Sequence, residues 1–176
     1  MSMRQITVVI LFFVALVLNE TLMPAIAIGG VSPNLLIYFV VFTALFRNPA
    51  VAAFTAAAIG LCDDLLIGRY IGLSILSYAF TGYFTAYFRN RFYQENLLMP
   101  IIFVFGGSLL AGSLYMVFSQ LMPLALPPGT TFVFNVLPQA LYDAALTWAV
   151  YIPMQFFLQR DQARREYRRY HYRKYY

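Results

Sequence analysis

The chain has 176 residues, 61% of them apolar and only 11% charged, with a mean hydropathy of +0.69. A soluble domain spends about a quarter of its residues on charge, so this supply excludes a water-facing surface, and the length leaves room for one bundle without a separate soluble domain. The net charge of +5 does not point to nucleic acid, because seven basic and two acidic residues crowd the last seventeen positions and the remainder is neutral.

Six apolar segments read as membrane-spanning helices. The first, Ile6 to Ile28, opens like a secretory signal: Arg4, an apolar run to Leu18, and Ala25-Ile26-Ala27 as a candidate cleavage site. The charge pattern described below needs it retained as a span. The second, Pro33 to Phe46, is short. Fourteen residues at about 1.5 Å each give roughly 21 Å, less than the roughly 30 Å hydrocarbon core, so it is a tilted fragment or a partial span wrapped by its neighbours. The third runs from Ala50 to Ile67 and the fourth from Ile71 to Phe88. Arg89 to Asn96 form the most polar internal loop. The fifth covers Leu97 to Met122, and an uncharged loop holds Pro123, Pro127, Pro128 and Gly129. The sixth covers Phe132 to Leu158, with kinks expected at Pro138 and Pro153.

Basic residues fall on one side of these spans. Arg4, Arg47, Arg89 and Arg91 and the seven basic groups of the tail share a side, and only Arg69 lies opposite. The positive-inside bias therefore places both termini in the cytoplasm. Residues 1–158 form the transmembrane bundle and 159–176 a basic, tyrosine-rich cytoplasmic tail. That tail is either a stop-transfer anchor on anionic lipid or a docking segment for a cytoplasmic partner.

Ionisable groups are costly in lipid, so their positions carry information. Glu20, Asp63, Asp64, Arg69 and Asp143 all fall at similar depth near the extracytoplasmic side. They make either a water-accessible rim with partial ion pairing or a recognition surface. Along the third helix Ala52, Ala56, Gly60, Asp64 and Gly68 recur every four residues, a stripe of small residues that implies close approach of a second helix, internal or from a partner. On the sixth, Asn135, Gln139, Asp143, Thr147, Tyr151 and Gln155 also recur every four residues. Each step drifts about 40°, so they wind as a polar ribbon that should face the bundle interior rather than lipid. With Ser77, Thr81 and Thr85, and Ser74, Tyr78 and Gly82 beside them, they are expected to line an internal polar cleft that includes Glu20.

Catalytic chemistry finds little support. Asp63-Asp64 is followed by Leu65-Leu66-Ile67-Gly68 rather than further acids, as a metal-dependent prenyl transfer site would need. The one histidine, His171, sits in the tail, so no metal centre, cofactor or histidine base is expected in the bundle. Cys62, the single cysteine, is a small packing residue.

Several runs resemble one family. Ser32-Pro33-Asn34-Leu35-Leu36 opens the second helix. Gly60, Asp64, Gly68 and Gly72 keep a four-residue register through Gly60-Leu61-Cys62-Asp63-Asp64-Leu65-Leu66-Ile67-Gly68-Arg69-Tyr70-Ile71-Gly72-Leu73. Tyr78, Gly82 and Tyr83 follow, then the basic loop at Arg89 and Arg91. The last span carries Leu137-Pro138-Gln139-Ala140-Leu141-Tyr142-Asp143. In this order and spacing they resemble the rod shape-determining protein MreD family, in which asparagine usually stands where this chain has Asp143, and Asp63 is an extra acid.

The resemblance implies a non-enzymatic subunit of the bacterial elongation machinery in the cytoplasmic membrane. Such proteins associate with MreC and, through it, with RodA and a class B penicillin-binding transpeptidase, above filaments of MreB. It also implies an all-α bundle of six transmembrane helices similar to the substrate-binding subunits of energy-coupling-factor vitamin transporters. On this view Pro33, Asn34, Ala56, Gly60, Asp64, Gly68, Arg69 and Gly72 serve partner binding or structure. Glu20, Tyr78, Asn135, Gln139 and Asp143 form the polar cleft. A small-molecule capture subunit is the alternative, and handling of a lipid-linked precursor would draw on the same cleft.

Overall fold

A computed structural model describes residues 3–68, 70–92, 98–121 and 127–147. Among them the regular elements are helical, apart from one isolated antiparallel bridge between Ile28 and Val31. The helices are α1 (Met3–Thr21), α2 (Leu35–Phe46), α3 (Pro49–Ile67), α4 (Leu73–Phe92) and α5 (Leu98–Ser119). The last, α6, opens as Pro128–Thr131, passes through a π-helical turn over Phe132–Val136 and stays helical across 137–147.

Three boundaries differ most from those expected of the sequence. α1 stops at Thr21 rather than Ile28, because Pro24 lacks the amide that would carry the helix on and starts a 3₁₀ turn, Pro24–Ile26. The chain then reverses through Gly29 and Gly30, where Ile28 and Val31 exchange backbone hydrogen bonds of 3.0 and 3.1 Å. α4 runs on to Phe92 through Arg89, Asn90 and Arg91, since the segment contains neither proline nor glycine to break it. α6 begins earlier than expected, because Pro128 at its first position has the φ a helix needs and no amide left unpaired.

The kink expected at Pro138 takes the form of the π turn. Proline cannot donate to the carbonyl four residues back, and its ring crowds that carbonyl. The Leu137 amide instead donates to the Phe132 carbonyl, five residues back, and this wider turn absorbs the misfit. Pro153 lies outside the described residues, as do Arg69, the 93–97 connection, the 122–126 segment and everything from 148, including the tail.

α2 is the hub of the bundle. Leu36, Ile37, Tyr38, Val40, Val41, Phe42, Ala44 and Leu45 are buried, and the helix touches α1, α3, α4 and α5. A helix apolar on all sides belongs inside, so its short length is accommodated by neighbours rather than by lipid. α1 packs on it through Leu16 and through an edge-to-face contact of Phe12 with Phe39, centroids 5.9 Å apart. Arg89 of α4 donates to the Leu45 carbonyl at 2.7 Å. A cation there meets the electronegative end of α2 and satisfies a carbonyl that the helix leaves unpaired.

The most extensive contact joins α3 and α4. Ala52 and Ala56 have no exposed surface, and a Cβ placed on Gly82 would lie 2.8 Å from the Ala56 Cβ and 2.9 Å from the Ala52 carbonyl oxygen. Small residues on both helices let the two backbones approach.

Candidate functional site

The four-residue register of Gly60, Asp64, Gly68 and Gly72 is the corner between α3 and α4. Gly60 lies against the α4 backbone, where an added Cβ would stand 2.5 Å from the Ser74 carbonyl oxygen and 2.7 Å from the Ile75 nitrogen. One turn on, the buried Asp64 carboxylate accepts hydrogen bonds from the amides of Gly72 (2.7 Å), Ser74 (3.1 Å) and Ile75 (3.3 Å). These are among the amides that the first turn of α4 leaves without partners. An anion at that end also suits the helix dipole. Gly68 ends α3 in the left-handed conformation, φ 67°, with its amide on the Asp64 carbonyl at 2.9 Å. Gly72 turns the chain into α4 at φ 115°. Both conformations favour glycine because it has no Cβ.

Beside this corner, hydrogen bonds tie all six helices together. Asn34, following the buried Pro33, caps α2 by accepting from the Leu36 amide at 2.9 Å. Its own backbone amide donates to Asp143 Oδ1 at 2.8 Å. Its side-chain amide donates to the Tyr78 hydroxyl at 2.8 Å, and Tyr78 in turn donates to Asp63 Oδ2 at 3.1 Å. Asp143, with no exposed surface, takes a second hydrogen bond through Oδ2 from Ser108 of α5 at 2.5 Å. The Asp143 carbonyl accepts from Tyr38 at 2.6 Å and from Thr147 at 2.8 Å. Asn19 of α1 holds the Leu35 amide at 2.8 Å.

Above the network lies a cavity of about 560 Å³. Its walls come from the C-terminal ends of α1, α3 and α5 and the N-terminal ends of α2, α4 and α6, so successive helices run in alternating directions. Glu20, Asn34, Tyr78, Asn135 and Gln139 line it, and Pro33 and Asp63 face it as well. Asp143 sits one hydrogen bond behind the wall, through Asn34 and Ser108.

The acids thus form no common rim. Glu20 is exposed, whereas Asp63, Asp64 and Asp143 are buried and accept hydrogen bonds from named donors. The extra acid, Asp63, faces the cavity, while Asp64 is committed to the α4 amides. Nor do all the hydroxyls of α4 join a cleft: Ser77 and Thr81 donate to carbonyls one turn back in their own helix, at 2.7 Å each. Ser74 and Tyr78 are the α4 hydroxyls at the cavity. Of the α6 ribbon, Asn135 and Gln139 reach it, Thr147 lies in the network, and Tyr151 and Gln155 fall outside the described residues.

Several members of the site escaped notice in the sequence. Ser108 follows Gly107, where an added Cβ would lie 2.7 Å from Val41 Cγ2, and a hydroxyl beside that glycine in a helix otherwise fit for lipid was the signal for it. Asn19, next to Glu20, and Tyr38, inside an apolar run, gave less warning.

Outside the network much of the described surface is apolar. Phe54, 78% exposed, continues through Leu61 and Leu65 as an outward stripe on α3. α3 and Met99–Ser119 are long and apolar enough to cross a bilayer by length and composition. Apolar groups outward and carboxylates and amides inward is the design of an all-helical membrane protein with a site inside one end. The sequence model described as rod shape-determining protein MreD matches residues 2–161. The chain belongs to that family, a family of membrane proteins with a role in determining cell shape. No curated protein and no solved structure matches it.

Proposed function

We propose that the chain is a non-enzymatic subunit of the bacterial elongation machinery that holds rod shape by binding MreC. Through MreC it helps regulate peptidoglycan synthesis by RodA and a class B penicillin-binding transpeptidase, over MreB filaments. The observation that carries this is the family match across residues 2–161. The chain would cross the cytoplasmic membrane six times with both termini inside. In support, Arg47 and Arg89 lie at the end of the bundle opposite Glu20, Asp63 and Asp143, as a positive-inside arrangement requires. The small-residue stripe is covered by α4, which leaves outward apolar faces such as Phe54, Leu61 and Leu65 for a partner helix. The test is to deplete the protein in its native rod-shaped cell and to purify the tagged chain from the same membranes. Rounded cells and recovery of MreC are expected. Unaltered rods, or a tagged chain that comes without MreC, overturn the proposal.

The cavity favours a second reading. Its volume lies in the range of small-molecule sites, roughly 300–1,000 Å³. This would suit a capture subunit such as those of energy-coupling-factor vitamin transporters. A saturable thermal shift on ligand addition supports capture, and a flat response across a panel of vitamins and lipid-linked precursors counts against it.

A further inference from the structure

We infer that the cavity is a site for an organic ammonium ion, held between the carboxylates of Glu20 and Asp63 and among tyrosine rings. The inference rests on the capture reading of the cavity and names the chemical class of its ligand.

Charge is the first argument. Glu20 and Asp63 both line the cavity, and among the described lining residues there is no lysine, arginine or histidine. Asp143 adds a third carboxyl group one hydrogen bond behind the wall, through Asn34 and Ser108. Like charges facing one cavity repel, and they do so more strongly as the surroundings become less polar. A cation between them removes that repulsion, whereas an anion would add to it.

The lining chemistry narrows the cation. Tyr70, Tyr78 and Tyr115 contribute aromatic rings, which attract alkylated ammonium groups through the negative potential of the ring face. Asn135 and Gln139 supply amide oxygens for the N–H or hydroxyl groups of the rest of the molecule. The volume of about 560 Å³ is many times that of a single water, about 30 Å³, so the space suits an organic ion rather than a bare metal ion. Glu20 is exposed at the mouth, so the site is reached from one end of the bundle. The ammonium group has two sources: a free amine, or the headgroup of an aminophospholipid.

The full chain, purified in detergent, is titrated calorimetrically with choline and with 3,3-dimethyl-1-butanol, which has the same shape without the charge. Saturable binding of choline and none of the alcohol is expected. Glu20→Gln and Asp63→Asn should each weaken choline binding by about tenfold or more. Glu20 is exposed, so its variant reports on the site and not on folding. In nanodiscs, loss of choline binding on exchanging phosphatidylglycerol for phosphatidylethanolamine supports the inference and identifies the headgroup as the source. Retained binding supports it with a free amine as the source. Equal binding of the alcohol, or undiminished affinity in Glu20→Gln, overturns the cation assignment and leaves capture standing. No saturable response to choline or to a panel of neutral vitamins and sugars overturns both.

Discussion

Replacing Gly60 by alanine adds one methyl group, and the α3–α4 corner gives it nowhere to go. The new Cβ would stand 2.5 Å from the Ser74 carbonyl oxygen. Carbon–oxygen contacts of this kind relax to about 3.3 Å, so the α4 backbone must retreat by roughly 0.8 Å. The Asp64 bonds to the Ser74 and Ile75 amides are already 3.1 and 3.3 Å long, and the same retreat takes them beyond hydrogen-bond range. Each such bond to a charged group contributes about 1.5–3 kcal/mol. Alanine returns about 1 kcal/mol through its better helix propensity. The expected net loss is therefore about 2–5 kcal/mol, or a fall in Tm of roughly 4–20 °C for a chain of this size. Gly106→Ala is the matched control, because nothing lies within 4 Å of an added Cβ there and only the propensity gain applies. Thermal unfolding of both variants in the same detergent tests this. A Gly60→Ala protein as stable as the wild type, or one lowered no more than Gly106→Ala, refutes the close approach on which the corner is built.

The adjacent acids should respond differently to the same substitution. Asp64→Asn sets a side-chain amide donor against backbone donors and should lower stability by about 2–4 kcal/mol. Asp63→Asn keeps a carbonyl for Tyr78 and should cost less than about 1 kcal/mol, and equal losses in denaturant midpoint would show the roles to be misassigned. At Asp143 an asparagine retains an acceptor for the Asn34 amide and gains a donor for the Ser108 hydroxyl. Asp143→Asn should therefore unfold within about 1 kcal/mol of the wild type, while Asp143→Leu, which strands both partners, should lose at least about 3 kcal/mol. Similar losses in the two would mean that charge, and not hydrogen bonding, holds this position.

Composition and spacing alone determined a good deal. A chain with 11% charged residues can be folded only by hiding its few ionisable groups from an apolar solvent. Periodic signals are local, so the corner motif was legible as a four-residue register and the small-residue stripe as a helix contact. Helix ends set by packing were less so. Nothing in Arg89-Asn90-Arg91 says that the first of them holds the α2 carbonyl at Leu45.

What only the tertiary structure decided is direction. Neighbouring residues on a helix point about 100° apart, so Asp63 and Asp64 had to face different surroundings, but the sequence does not say which. Close approach of α4 at Gly60 turned Asp64 onto the α4 amides and left Asp63 to Tyr78 and the cavity. The same holds for α2, whose length suggested a marginal span. Its burial among four helices is a property of its neighbours, and no reading of its twelve residues contains them.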